Sequence, residues 1–207
     1  GAAALVATPA GWPWIAGALV ANHLAIGMAG LVPRSRLLGP NLLRLPQVAA
    51  RDGAVALTFD DGPDPQITPR VLDLLDQQGA KATFFVIGER VKRYPALARE
   101  ITSRGHLVEN HSHRHVHTFS VLPPRALARE VSNAQAAIAE ATGRRPVWFR
   151  APAGLRGAFL EPILARQGLA LAAWTRRGYD TMLPEPDAVF ARLIRDLAAG
   201  DVLLLHD

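Results

Sequence analysis

The chain contains no cysteine. That excludes disulfides and any thiolate metal site, and it leaves the redox compartment open. No internal repeat or low-complexity tract runs through the sequence, which excludes repeat arrays. Acidic residues are missing altogether from positions 1–51, which carry Arg34, Arg36, Arg44 and Arg51. The net charge of +5 is therefore misleading. The other residues hold 19 basic against 18 acidic side chains, a net charge of +1. A near-neutral domain lacks the basic footprint of a nucleic-acid binder, and no nucleic-acid partner is implied.

Charge of either sign is missing from Trp14 to Val32. These residues would form about 28 Å of helix at ~1.5 Å per residue, against a bilayer core of ~30 Å. Trp12 and Trp14 stand at one end, where interfacial aromatics belong, and Arg34 and Arg36 at the other. Residues 1–7 are also apolar, and Thr8 to Pro13 reads as a turn, so a helical hairpin is expected. The basic residues follow the apolar run instead of preceding it, unlike a cleaved signal peptide. Asn22 and His23 interrupt the run, so the bland reading is a helix packed on the domain. The expectation is a membrane-associated segment and linker over 1–51 and a catalytic domain over 52–207. About 150 residues suffice for a substantial single core.

The remaining chain alternates strand-like and helix-like segments. Strands are expected at 54–60, 81–88, 106–110, 147–151, 169–175 and 201–206. Helices are expected at 68–78, 94–104, 123–141, 157–167 and 186–199. Proline or a polar cap opens several helices, and Gly79, Gly105, Gly143, Gly168 and Gly200 close five. This alternation predicts an α/β fold with a parallel sheet, in the manner of a barrel with its chemistry at the C-terminal strand ends.

Those ends carry the polar residues. Thr58-Phe59-Asp60-Asp61-Gly62 closes the apolar run Ala54 to Leu57. Two carboxylates at a buried strand tip are costly unless paired, hydrogen-bonded or bound to metal. Asn110-His111-Ser112-His113-Arg114-His115 closes another run. His111 and His115 are four apart, so one helical turn would place both imidazoles on one face. Two histidines and a carboxylate with open positions suit catalytic zinc and also non-haem iron. His113 and His117 read as loop residues. Trp148-Phe149-Arg150-Ala151-Pro152-Ala153-Gly154 and Val202-Leu203-Leu204-Leu205-His206 end two further strands.

In this order the segments resemble the polysaccharide deacetylase family, the NodB-homology domain of carbohydrate esterase family 4. Thr58 to Gly62 matches its first motif, His111-Ser112-x-x-His115 the second, Arg150-x-Pro152 the third, Asp180 the fourth and Leu205-His206 the fifth. The resemblance covers Val55 to Asp207. It implies a distorted (β/α) barrel of about seven strands, one more than the six read above, and a closing helix beyond Asp207. It further implies a metal-dependent amide hydrolase. Asp61, His111 and His115 would hold Zn²⁺ or another divalent transition metal, and Asp60 would act as base. The backbone N–H of Ala153 would stabilise the oxyanion. His206 would be the acid, and Arg150 would orient Asp60. Asp180 would pair with Arg150 or His206, and Leu205 would line the acyl pocket.

Three positions depart from the pattern. Thr181 replaces a tryptophan, Thr175 stands where an aspartate often follows Trp174, and Ala153 replaces an aromatic. A cleft with few stacking aromatics grips a long glycan poorly. The expected substrate is therefore an amino sugar, N-acetylated or N-formylated, in an envelope glycan or a lipid-linked precursor of a bacterial membrane. The arginines past residue 32 favour a cytoplasmic side, and the resemblance favours the envelope face. Two rivals remain, a catalytically silent carbohydrate-binding protein on the same fold and a two-histidine, one-carboxylate iron oxygenase. The α/β alternation disfavours the oxygenase.

Overall fold

A computed structural model describes residues 11–183 and 185–207. Its centre is a seven-stranded sheet in the order β5-β4-β3-β2-β1-β7-β6. The strands are β1 (Ala56–Asp60), β2 (Ala82–Val86), β3 (Leu107–Asn110), β4 (Trp148–Phe149), β5 (Ala170–Leu171), β6 (Arg176–Arg177) and β7 (Val202–His206). All six neighbouring pairs are parallel. Parallel pairs need crossovers. Helices α3 (Thr68–Gln77), α4 (Gly88–Arg93), α5 (Pro95–Ser103), α6 (Pro124–Thr142), α7 (Leu160–Arg166) and α8 (Pro186–Ile194) supply them, after α1 (Trp12–Gly30) and α2 (Gln47–Arg51). The sheet curls into the distorted barrel that the motifs imply.

Alternation along the strands sorts the side chains. Phe59 and Phe84 stack at 5.2 Å and share a core beneath the helices with Leu72, Ile101 and Ile138. A second apolar cluster holds Phe119, Leu127, Phe149, Leu160 and Leu164. Thr58 and Asp60 flank Phe59, so they point to the opposite face, inside the curl. Register then aligns the strand ends. Asp60 stands beside His206, Val86 beside Asn110, and Asn110 beside Phe149. The motif residues therefore meet on one rim.

The sequence reading misses one strand, and the reason is physical. β6 is two arginines at a sheet edge, paired to Leu203 and Leu204, with no apolar alternation to mark it. Helices α7 and α8 are shorter than expected, and the short helices α2 and α4 were not anticipated. The five glycines read as helix stops all have positive φ.

The N-terminal segment differs most from its reading. Among the described residues, no helix is long and apolar enough to cross a membrane. Asn22 and His23 lie in the middle of α1, and Trp12 is already helical, so no turn separates it from the apolar run. The rest of the expected hairpin falls on residues 1–10, outside the described residues. The linker, moreover, is tied to residues flanking two strands by isolated bridges. The Leu42 N–H donates to Leu171 O and the Ala173 N–H to Leu42 O, at 2.9 and 2.8 Å. Arg44 bridges Asp201, and the Leu45 N–H reaches Gly200 O at 2.8 Å. Residues 42–45 thus span the opening between β5 and β7.

Buried Glu109 ties β3 to β4. Its Oε2 accepts the N–H groups of Val147 and Trp148 at 2.9 and 2.7 Å. Burial pushes its carboxyl from 4.5 up to about 7, with the two N–H donors offsetting part of the rise. A carboxyl raised on folding stabilises fully below its unfolded value, and the contribution is lost as pH rises through the folded value. Glu109→Gln keeps an acceptor and removes the titration. Its Tm should fall less than that of the wild type between about pH 4.5 and 7. Parallel curves of Tm against pH would remove Glu109 from this role.

Candidate metal and active site

The strand ends build a cavity of about 230 Å³ lined by Asp60, Asp61, His111, His115, Ala153, Leu204, His206 and their neighbours. Asp61 is the residue that leaves β1, with φ of 74°. This left-handed turn lets two adjacent aspartates address one space, although strand side chains alternate. The chain behind it is tightly placed. A Cβ on Gly62 would lie 2.2 Å from Asp207 Oδ1, so a larger residue there would require the Asp207 side chain to move. Asp207 also receives a hydrogen bond from the Thr68 hydroxyl, and its N–H donates to Asp60 O at 3.1 Å.

His111 and His115 converge without a helical turn, contrary to the spacing argument. Residues 111–118 form a loop, with Ser112 and His115 at φ of 64° and 53°. Asn110 holds that loop. Its amide nitrogen donates to Val131 O and Gln135 Oε1, and its Oδ1 accepts the Ser112 N–H at 2.9 Å. The Ser112 hydroxyl accepts the His115 N–H at 3.1 Å. His113 is buried beside Gly88 and stays with His117 outside the cluster.

The donor set fits a metal ion. His111 Nδ1 lies 2.9 Å from Arg150 O. A carbonyl only accepts, so Nδ1 carries the proton and Nε2 presents its lone pair. Asp61 Oδ1 sits 3.4 Å from that Nε2 and 3.3 Å from His115 Nε2. It is buried without a hydrogen-bond partner, and the three donors lie within 4.8 Å of one another. An orphaned carboxylate oxygen between two imidazole nitrogens matches a cation with open positions. Burial alone would raise the Asp61 carboxyl. The neighbouring imidazoles of His111, His115 and His206 overcome it and hold the carboxyl well below the usual range. Burial, reinforced by His111, lowers His115 and favours its neutral form.

Asp60 has a different environment. Its Oδ1 accepts a 2.7 Å bond from Arg150 Nη1, while Oδ2 lies 3.8 Å from His111 Nε2. Arg150 is fully buried, not a surface ion pair. Nη1 also donates to Thr58 Oγ1 at 2.7 Å, Nη2 donates to Ala173 O at 2.9 Å, and the guanidinium lies 4.0 Å over Phe85.

On the opposite wall, Asp180 pairs with His206 and not with Arg150. Asp180 Oδ1 lies 2.9 Å from His206 Nδ1, and Oδ2 accepts the His206 backbone N–H at 2.7 Å. Burial lowers the imidazole, but Asp180 more than compensates and the His206 pKa is raised. Ala153 lines the cavity with φ of 53°. Leu205 does not line it. Leu204, two residues before His206, shares that face, whereas Leu205 packs into the core under the helices. Trp174, Arg177 and Thr181 also line the cavity. Thr181 is one of the three positions at which the sequence departs from the family pattern, whereas no spacing rule links Trp174 or Arg177 to the motifs.

The Asp180–His206 pair predicts a titration. Asp180→Asn removes the anion and leaves the burial, so the His206 midpoint should fall below the ordinary ~6.5 of a free imidazole. NMR titration of the imidazole reads this directly. An unchanged midpoint would mean that Asp180 does not set the charge of His206.

The chain is similar to known proteins in sequence and in fold. A family model described as polysaccharide deacetylase covers residues 47–172. A peptidoglycan-N-acetylglucosamine deacetylase from Bacillus cereus is 34% identical over 163 residues, 78% of this chain and 76% of that protein. A chitooligosaccharide deacetylase from Sinorhizobium fredii is 36% identical over 167 residues, 80% of this chain and 77% of that protein. A family 4 pseudoenzyme from Bacillus anthracis has a similar structure, with a TM-score of 0.74 at 26% identity. That similarity covers 81% of this chain and 58% of that one. Since the family model matches more than half of the sequence and both enzymes exceed 30% identity over most of their length, the chain belongs to the polysaccharide deacetylase family.

Proposed function

We propose that the protein is a metal-dependent hydrolase that removes an N-acetyl or N-formyl group from an amino sugar. The observation that carries this reading is the orphaned Asp61 Oδ1 between His111 Nε2 and His115 Nε2, with Asp60 beside it. The relatives from Bacillus cereus and Sinorhizobium fredii, a peptidoglycan-N-acetylglucosamine deacetylase and a chitooligosaccharide deacetylase, support the substrate class.

Asp61, His111 and His115 would hold Zn²⁺ or a similar divalent ion. When bound, such an ion polarises the acyl carbonyl and makes water acidic. Asp60 is placed to accept the proton of the attacking water. Arg150 fixes one of its oxygens and leaves the other facing the cavity. As the water oxygen bonds to the acyl carbon, the Ala153 N–H donates to the developing oxyanion. The C–N bond then breaks while His206, kept protonated by Asp180, delivers a proton to the leaving amine. Leu204 offers an apolar wall to the acyl methyl.

The pseudoenzyme relative favours a second reading, a silent carbohydrate binder. Both acid–base groups and all three donors are present here, which supports turnover. Acetate or formate release from peptidoglycan, chito-oligosaccharides and lipid-linked amino sugars separates the two readings. The adjacent aspartates should separate as well. Asp61→Asn and His111→Ala should lose metal and activity together. Asp60→Asn should keep its metal and lose roughly 10²–10⁴ in kcat. Metal analysis beside kinetics tests this, and near-wild-type turnover in Asp60→Asn would remove the base from the mechanism.

We also propose that α1 associates with a membrane of the bacterial cell envelope. Trp14, Leu24 and Met28 are each more than 60% exposed, and only Ala29 and Gly30 of the helix are buried. An uncharged helix that exposes this much apolar surface suits lipid better than water. The full chain should sediment with membranes and need detergent for release. Recovery in the soluble fraction would refute the association.

A further inference from the structure

Beside the catalytic cavity lies a second cleft of about 440 Å³ whose lining includes Arg34, Arg177, Arg192, Arg195, Trp174 and Tyr179. Trp174 and Arg177 line both spaces, so one ligand could occupy both. Five arginines face the cleft, counting Arg176. Asp201 pairs with Arg176 at 3.2 Å and with Arg44, in the adjoining surface, at 2.9 Å. Among the described residues, Arg34, Arg177, Arg192 and Arg195 have no carboxylate partner. Arg177 Nε is buried without a hydrogen bond. The guanidinium groups of Arg177 and Arg192 lie over the same Tyr179 ring, at 4.9 and 5.6 Å.

Like charges gathered on one wall repel, and the repulsion is relieved when an anion enters. Arginine forks match phosphate oxygens in plane and number. Four uncompensated guanidinium groups exceed what one carboxylate can pair, and they suit a multiply charged phosphate or diphosphate. We propose that this cleft is an anion subsite and that the amino-sugar substrate carries a phosphoryl group there. The inference rests on the hydrolase reading only for where the sugar lies. The shared chemistry is a sugar phosphate, whether soluble or lipid-linked.

Calorimetry on the zinc-loaded full chain reads the subsite without turnover. N-acetylglucosamine 1-phosphate should bind at least about tenfold tighter than N-acetylglucosamine, the scale of added charged hydrogen bonds. Arg192→Gln/Arg195→Gln, two exposed positions, should remove most of that ratio. Equal affinities, or a ratio untouched by the double variant, overturn the proposal. A preserved ratio with no acyl release from any amino sugar supports the subsite and sinks the hydrolase reading. Acyl release from chito-oligosaccharides with no phosphate preference does the reverse. A nucleoside-diphosphate amino sugar in buffer and a polyprenyl-diphosphate amino sugar in neutral micelles identify the source. Preferred turnover of either supports the subsite, and preference for neither over chito-oligosaccharide overturns it. If the double variant loses binding to anionic phospholipid vesicles but keeps the sugar-phosphate ratio, the cleft serves lipid headgroups and the substrate proposal fails.

Discussion

The Arg150–Asp60 pair is the constraint on which the site depends. A guanidinium this deeply buried is tolerated inside a barrel only when it is compensated, and the compensating contacts come from three separate parts of the chain. Asp60 and Thr58 come from β1, Ala173 follows β5, and the Phe85 ring comes from β2. Thr58 then donates to Leu203 of β7 at 2.7 Å. Breaking such a pair from one side costs about 3–5 kcal/mol, because the other charge is left buried alone. The pair therefore fixes the mutual position of the strands while it fixes the proposed base. The Arg150 carbonyl also sets the tautomer of His111. One residue thus organises the proposed base through its side chain and a proposed metal donor through its backbone.

Much of this was legible because the chemistry needs particular residue types. Adjacent aspartates at a strand end, paired histidines and a strand-terminal arginine and histidine are costly features that a random apolar strand would not carry. The parallel alternation was legible too, through helix starts and glycine stops. The manner of convergence was not. The i,i+4 spacing of His111 and His115 suggested a helix, yet a loop does the work through left-handed Ser112 and His115. Positive φ at Asp61, Ser112, His115 and Ala153 leaves no mark in residue type as it would with glycine. It is imposed by tertiary contacts, here the Asn110 network and the Arg150 anchor.

Other misses share that origin. Leu204 and Leu205 are identical in chemistry, and only the inward orientation of His206 distinguishes the leucine that lines the cavity. β6 is too short and too charged for a periodic signal. Residues 42–45 look like a linker because their stabilising partners, Leu171, Gly200 and Asp201, lie over 100 residues away. Local pattern cannot see a strand edge completed from a distance.

The same long-range contacts connect α1 to the chemistry. The Gly30 carbonyl accepts the Arg156 N–H at 3.1 Å, and Arg156 Nη2 donates to Ser35 O at 2.7 Å. A Cβ on Gly154 would lie 2.6 Å from both Pro33 and Trp174, so the segment after α1 packs directly against a loop that lines the cavity. Arg34 Nη1 then reaches Thr175 O at 3.3 Å. The exposed apolar helix, the arginine cleft and the donor cluster are therefore adjacent through short, direct contacts and not through a flexible tether. That order is the one the two proposals need: an apolar helix, then a cationic cleft, then the site proposed for the acylated amine. A long neutral polymer would make no use of the middle element, so the proposed phosphoryl subsite and the proposed membrane association rest on one arrangement of the chain.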